Sequence, residues 1–158
     1  TFIMPGQAER KKSVKYKLVP QELEIRDKKV LIMDDSIVRG NTSREIVHML
    51  KDFGAKEVYF AVACPPVKSP CFYGVDMPTK SELIAGNMNE DEIEKYLEVD
   101  ALLYQKIDDL VEAVTRKGDH HIDTPCMACL DGNYVANDID EAKIAEMETM
   151  RVNDRNGN

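Results

Sequence analysis

Val30-Leu31-Ile32-Met33-Asp34-Asp35-Ser36-Ile37-Val38-Arg39-Gly40-Asn41-Thr42-Ser43 joins an unbroken apolar run to two acids and then to a polar, turn-rich loop. Four apolar residues without alternation predict a strand covered on both faces, as in a parallel sheet. Downstream, Ile46, Met49, Leu50 and Phe53 recur at helical spacing, and Gly54 is a natural stop. A second apolar run follows from Val58 to Ala63. Strand, loop, helix and strand within about 35 residues make a βαβ unit. The fold class is therefore α/β, a parallel sheet with flanking helices.

The same stretch carries the strongest chemical signal. Ligands of open α/β sheets bind outside the carboxyl ends of the strands, where Asp34 and Asp35 stand. The loop then enters a helix N-terminus, whose unpaired N–H groups and dipole favour an anion. Ser36, Thr42 and Ser43 add hydroxyl donors, and Gly40 lets the backbone approach a phosphate. Two carboxylates do not serve that phosphate, because like charges repel. They suit sugar hydroxyls, a Mg2+ ion, or both. A phosphate beside a diol describes ribose 5-phosphate. An Asp-Asp pair on its own more often starts a turn or caps a helix; its position between a strand and a Ser/Gly/Thr loop favours the functional reading.

Outward from this unit, Pro65-Pro66 closes the second strand, and a long irregular stretch carries Cys71-Phe72-Tyr73-Gly74. A short helical turn is expected at Ser81 to Ile84. A helix is expected at Glu90 to Leu97 with Asn89 as its cap. A short strand follows at Ala101 to Tyr104 and a helix at Asp108 to Val114. Arg116 to Pro125 reads as a polar linker, Cys126 to Tyr134 as a compact cysteine-bearing segment, and Asp138 to Met150 as an amphipathic helix with Ile144, Met147 and Met150 on one face. Arg151 to Asn158 is expected to be disordered. Before the unit, Arg10, Lys11, Lys12, Lys15 and Lys17 crowd together, which alone reads as a solvated basic loop. Val14 to Leu18 alternates like a half-exposed strand.

Twenty-nine acids against twenty-one bases leave a net charge of −8, the wrong sign for a sequence-independent hold on nucleic acid. No apolar run approaches the roughly 20 residues of a membrane span. The four cysteines, Cys64, Cys71, Cys126 and Cys129, come with no other secreted feature, so free thiols or metal ligands in a reducing compartment are expected. Cys126 and Cys129 sit on one turn and could share a metal. Spacing alone leaves three possibilities open: a metal site, a redox pair, or ordinary thiols. His120-His121 lies in the polar linker and is a weak candidate ligand.

Asp-Asp-Ser-Ile-Val-Arg-Gly resembles the signature of type I phosphoribosyltransferases, in the wording of the amidophosphoribosyltransferases. The similarity runs from Thr1 to about Val114. Thr1-Phe2-Ile3-Met4-Pro5-Gly6-Gln7, with Arg10 and Lys17, resembles that family's flexible catalytic loop, which closes over pyrophosphate; Pro78 to Ala85 also reads like the family. The resemblance implies a phosphoribosyltransferase domain over residues 1–115, truncated at its N-terminal side, with the flexible loop at 1–20. Residues 116–158 are then the linker, cysteine segment and C-terminal helix. It further implies a cytoplasmic enzyme of purine synthesis that joins ammonia from glutamine to phosphoribosyl pyrophosphate. Asp34, Asp35 and Lys17 are its catalytic residues, Asp34 and Asp35 also face Mg2+, and Ser36 to Thr42 (Ser36, Ile37, Val38, Arg39, Gly40, Asn41, Thr42) bind the 5′-phosphate. A glutaminase domain is expected upstream of Thr1, a homo-oligomer is expected, and the chain alone is not expected to catalyse the full reaction.

Cys71-Phe72-Tyr73-Gly74 and Cys126-x-x-Cys129, followed by Leu130, Gly132 and Tyr134, resemble the branch of the family that binds a [4Fe–4S] cluster. The resemblance makes Cys71, Cys126 and Cys129 ligands, with the fourth upstream. These three are expected to surround one pocket and Cys64 to point elsewhere. Asp131 and Asn133 depart from the residues usual in that branch. Two other functions fit the phosphate loop: a regulatory domain that senses phosphoribosyl pyrophosphate, and a base-salvage transferase. The first lacks a basic recognition helix here, and the Arg39-Gly40 turn and the cysteine pattern speak against the second.

Overall fold

The computed structural model describes residues 18–115, 124–136 and 139–155. The basic opening loop with Arg10 and Lys17, most of the Val14 to Leu18 alternation, and His120-His121 lie outside the described residues.

One helical turn, α1 (Glu22–Ile25), leads into β1 (Lys29–Asp34). Helix α2 (Asn41–Asp52) returns the chain to β2 (Glu57–Val62), which pairs parallel to β1 from Lys29↔Glu57 to Asp34↔Val62. A 3-10 turn (Lys80–Glu82), the single-turn α3 (Ile84–Asn87) and α4 (Glu90–Leu97) then cross to β3 (Ala101–Tyr104). β3 pairs parallel to β2, so the sheet order is β1-β2-β3. Helix α5 (Ile107–Thr115), the turn α6 (Ala128–Asp131) and α7 (Glu141–Arg155) complete the chain.

The sheet explains the helices' positions. Val58, Phe60 and Val62 point from β2 into a core shared with Val47 and Leu50 of α2, Ile84 and Ala85 of α3, and Ile93 and Leu97 of α4. Asn89 caps α4 by accepting the Glu92 N–H at 3.0 Å, while the Glu92 carboxylate accepts the Asn89 N–H at 2.8 Å. That reciprocal pair satisfies two of the donors every helix start leaves open.

Two expectations are corrected. Among the described residues, β1 is covered on one face only. Val30 and Ile32 pack on the core, but Leu31 and Met33 are 58% and 76% exposed, and Leu103 of β3 is 55% exposed on the same open face. The apolar run was real, but an apolar side chain does not specify what covers it. Helix α7 also runs on through Arg155, past the Met150 boundary expected for it. Met150 is exposed, so only Ile144 and Met147 of the expected apolar face are half-buried.

Phe60 is completely buried at the centre of this core. Phe60→Ala should cost about 3–5 kcal/mol of stability, the usual cost of an aromatic-sized cavity. The shift in the chemical-unfolding midpoint measures it, and a loss under about 1 kcal/mol would show that the core collapses into the space.

Candidate phosphate site and cysteine segment

Register places Asp34 opposite Val62 at the carboxyl end of the sheet, where β1 opens into the loop. The Asp35 N–H donates to Asp34 Oδ1 at 2.9 Å, and the Ser36 hydroxyl donates to Asp35 Oδ1 at 2.9 Å. The two carboxylates are thereby tied into the chain turn. The Ser36 hydroxyl, expected among the anion's donors, is engaged with Asp35 in this structure. Ser43 is buried at the base of α2, which leaves Thr42, half-exposed, as the third hydroxyl of that set.

The loop sends its side chains inward. Ile37 is buried in the main core, and Val38 packs on a second, smaller core formed by Val67, Leu83 and Leu130. The Arg39 guanidinium turns to Glu82, with Nε and Nη2 each 3.1 Å from Oε1. The Ile84 N–H donates to the Val38 carbonyl at 2.9 Å. The Tyr96 hydroxyl donates to Asn41 Oδ1 at 3.1 Å. Helix α2 begins at Gly40 with no side-chain cap, and its first turn holds no acid. Its leading N–H groups therefore lack both a helical partner and a competing carboxylate, which is the arrangement an anion needs.

Gly40 has a reason the sequence did not supply. Its φ is +75°, and a Cβ there would stand 2.6 Å from Ile84 Cδ1 and 3.2 Å from Tyr96 Cε1. The glycine is required by the left-handed turn and by packing beneath the loop, in addition to any ligand above it.

A neighbouring hollow of about 360 Å³ opens at the carboxyl ends of β2 and β3, between Pro65-Pro66 and the Gln105 to Asp108 segment. Tyr104 lines it, and its hydroxyl is buried with no hydrogen-bond partner among the described residues. Burial, with Glu90 and Cys64 adding to it, pushes the phenol's pKa upward. Sequence reasoning did not single out Tyr104, since a tyrosine ending a strand is ordinary.

The cysteine segment docks beside this end of the sheet. The Lys68 and Ser69 N–H groups both donate to the Cys129 carbonyl, at 2.9 and 3.0 Å, and the Tyr134 hydroxyl donates to the Pro70 carbonyl at 2.8 Å. Phe72 and Tyr73 stack around Tyr134, with ring centroids 5.2 and 6.2 Å from it. Cys71 accepts the Tyr73 N–H at 3.3 Å. Burial raises the Cys129 thiol pKa, a backbone hydrogen bond opposes that, and Cys71 and Cys126 raise it further through their own charge. These hydrogen bonds and ring contacts join the stretch that carries Cys71 to the segment that carries Cys126 and Cys129.

The expected geometry is nevertheless corrected in two respects. Among the described residues, no three His, Cys, Asp or Glu side chains are placed to hold one metal ion, so the three thiols are neighbours without closing on a single point. Cys64 does not point elsewhere. It packs with Cys129 against the smaller core, and its thiol pKa is raised by burial first, then by Cys129 and Asp35. The reason is that Pro65-Pro66 starts the very stretch that carries Cys71, so Cys64 enters the same corner. None of the four cysteines forms a disulfide within the described residues.

Residues 5–77 match the phosphoribosyl transferase domain model. The chain is 48% identical over 151 residues to an amidophosphoribosyltransferase of Pseudomonas aeruginosa, covering 96% of this chain and 30% of that protein. It is 48% identical over 134 residues to that of Methanocaldococcus jannaschii, covering 85% and 27%. A solved glutamine phosphoribosylpyrophosphate amidotransferase from B. subtilis, complexed with ADP and GMP, superposes with a TM-score of 0.65 at 35% identity, over 90% of this chain and 32% of that one. A solved allosteric regulatory enzyme of purine biosynthesis gives 0.69 at 36% identity, over 94% and 32%. The chain thus spans about 30% of the length of these curated relatives. Its parallel sheet and flanking helices are those of the type I phosphoribosyltransferase fold.

Gly40→Ala should destabilise the protein by about 1–2 kcal/mol, since a left-handed φ strains any residue with a Cβ. Equilibrium unfolding checks this. A variant as stable as the parent would remove the conformational reason given for the glycine.

Proposed function

We propose that this chain, which matches the C-terminal phosphoribosyltransferase part of the amidophosphoribosyltransferases, holds the site where ammonia from glutamine displaces pyrophosphate from phosphoribosyl pyrophosphate. The product is 5-phosphoribosylamine, and the step is the first of purine synthesis. One observation carries the reading most: an uncapped, acid-free helix start joined directly to two carboxylates at a strand end.

The 5′-phosphate lies against the backbone of Ser36 to Thr42, where N–H groups and the helix dipole neutralise it. Asp34 and Asp35 hold the ribose hydroxyls, and the Mg2+ that accompanies pyrophosphate is held near them. Lys17, from the opening segment, meets the pyrophosphate charge. Ammonia reaches C1 from a glutaminase domain of the same protein. As the C1–N bond forms, the bond from C1 to the pyrophosphate oxygen breaks. The protein works as a homo-oligomer in the cytoplasm, a setting that suits four cysteines without a disulfide among the described residues. No helix among the described residues is long and apolar enough to cross a membrane.

Cys71, Cys126 and Cys129 serve a [4Fe–4S] cluster whose fourth ligand lies outside this chain. Support comes from their common corner and the N–H donated to Cys71. The lack of a single meeting point is compatible with a cube, because each iron takes its own thiolate. A cluster held by these residues would tie the cysteine segment to the stretch that carries Cys71.

Asp34→Asn with Asp35→Asn in the full-length protein should lower ribosylamine formation about 100- to 1000-fold, as for other lost preorganised contacts. Glutamine hydrolysis should persist. Parent-like turnover in the double variant would refute the assignment. Anaerobically purified protein should carry iron and sulfide and show brown colour, lost in Cys71→Ser. Colourless protein with zinc would keep the ligands and discard the cluster.

A further inference from the structure

Arg39 is the sole cation between Asp34 and Ser43, yet it does not face the anion site. Its side chain is only 21% exposed, and its partner Glu82 is 33% exposed. Glu82 spends one oxygen on Arg39 and the other on Thr79. Its Oε2 accepts the Thr79 N–H at 3.1 Å and the Thr79 hydroxyl at 3.0 Å. Thr79 itself is buried, so this carboxylate is gripped from beneath by a part of the fold with little room to move. One residue beyond Leu83, the Ile84 N–H holds the Val38 carbonyl, and the Ile84 side chain fills the space under Gly40.

We propose that Glu82 is a positioning residue for the phosphate loop: by holding Arg39 against the Thr79–Ile84 segment, it keeps the loop backbone, rather than the guanidinium, turned toward the ligand phosphate. The inference rests on the phosphoribosyl pyrophosphate reading of that loop and names the residue that gives the loop its shape. The physical case is one of competition. A free guanidinium two residues before a helix start is itself a strong phosphate ligand. Arg39 can reach over its own loop only if Glu82 releases it. A half-buried pair that loses one member leaves an uncompensated charge, which drives that release. Glu82 contacts the loop and touches no reacting atom, so its effect falls on ground-state binding.

The test uses the full-length protein, with phosphoribosyl pyrophosphate as the titrant in calorimetry and steady-state kinetics beside it. Glu82→Gln should weaken binding about tenfold, equivalent to about 1.4 kcal/mol. KM for phosphoribosyl pyrophosphate should rise in step, while kcat and glutamine hydrolysis stay within about twofold. Arg39→Gln, which removes the competing guanidinium, should bind closer to the parent than Glu82→Gln does, and the double variant should recover toward Arg39→Gln. Thr79→Val, which keeps every charge, should cost about threefold, and Thr79→Ser should bind like the parent. These two serve if Glu82→Gln does not fold. Parent-like affinity in Glu82→Gln, additive losses in the double variant, or a fall in kcat at unchanged KM would overturn the positioning role alone. A parent protein that fails to bind phosphoribosyl pyrophosphate would overturn the functional reading and this inference with it.

Discussion

A backbone that cradles an anion leaves its side chains on the far side, and they must be put somewhere stable. In this chain the answer organises the carboxyl end of the sheet. Ile37 goes into the main core, Val38 into the smaller one, and Arg39 into an ion pair with Glu82. Gly40 has no side chain to place, and the space it leaves is taken by Ile84 and Tyr96. Four consecutive residues are thus anchored from below in four different ways. What remains on the upper side is peptide, followed by the unpaired start of α2. Preorganisation of this kind is useful because the donors need not be rearranged when charge arrives.

The main lines were legible in the sequence because they rest on local chemistry. An apolar run followed by acids and a Gly-bearing loop reads directly as strand, site and helix. Asn89 was recognisable as a cap, and the structure adds Glu92 as its reciprocal partner. What escaped was contact between distant positions. Arg39 and Glu82 stand 43 residues apart, and no periodicity marks them as partners. The same holds for Gly40, whose neighbours Ile84 and Tyr96 come from two later elements. The face of β1 was misjudged for a related reason. Leu31 and Met33 announce that they are apolar, but whether a helix lies over them is decided elsewhere in the chain. Ser36 is a donor, as its residue type implies, and its partner in the structure is its own neighbour Asp35.

The cysteine corner and the phosphate loop are not independent. Leu130 and Cys129 belong to the small core on which Val38 also rests, and Leu83 joins it from the residue after Glu82. The cysteine segment enters this core as a single turn, closed by Gly132 at φ +80°. It is held to the irregular stretch by three backbone acceptor contacts, to the carbonyls of Cys129 and Pro70. Such a short element has little packing of its own, so its order depends on what it docks against. Cys64 stands at the junction, its thiol within the field of both Cys129 and Asp35.

The open face of the sheet bears on how the chain behaves in solution. Leu31 and Met33 of β1 and Leu103 of β3 offer apolar surface on either side of β2, and surface of that kind attracts its like. Against this works a net charge of −8, which makes two copies repel. The two forces have different ranges and different sensitivities. Repulsion between exposed charges is screened over about 10 Å at 0.1 M salt and over about 3 Å at 1 M. Apolar attraction is not screened, and kosmotropic salts strengthen it. Ionic strength therefore shifts the balance between the two forces wherever that face stays open to solvent.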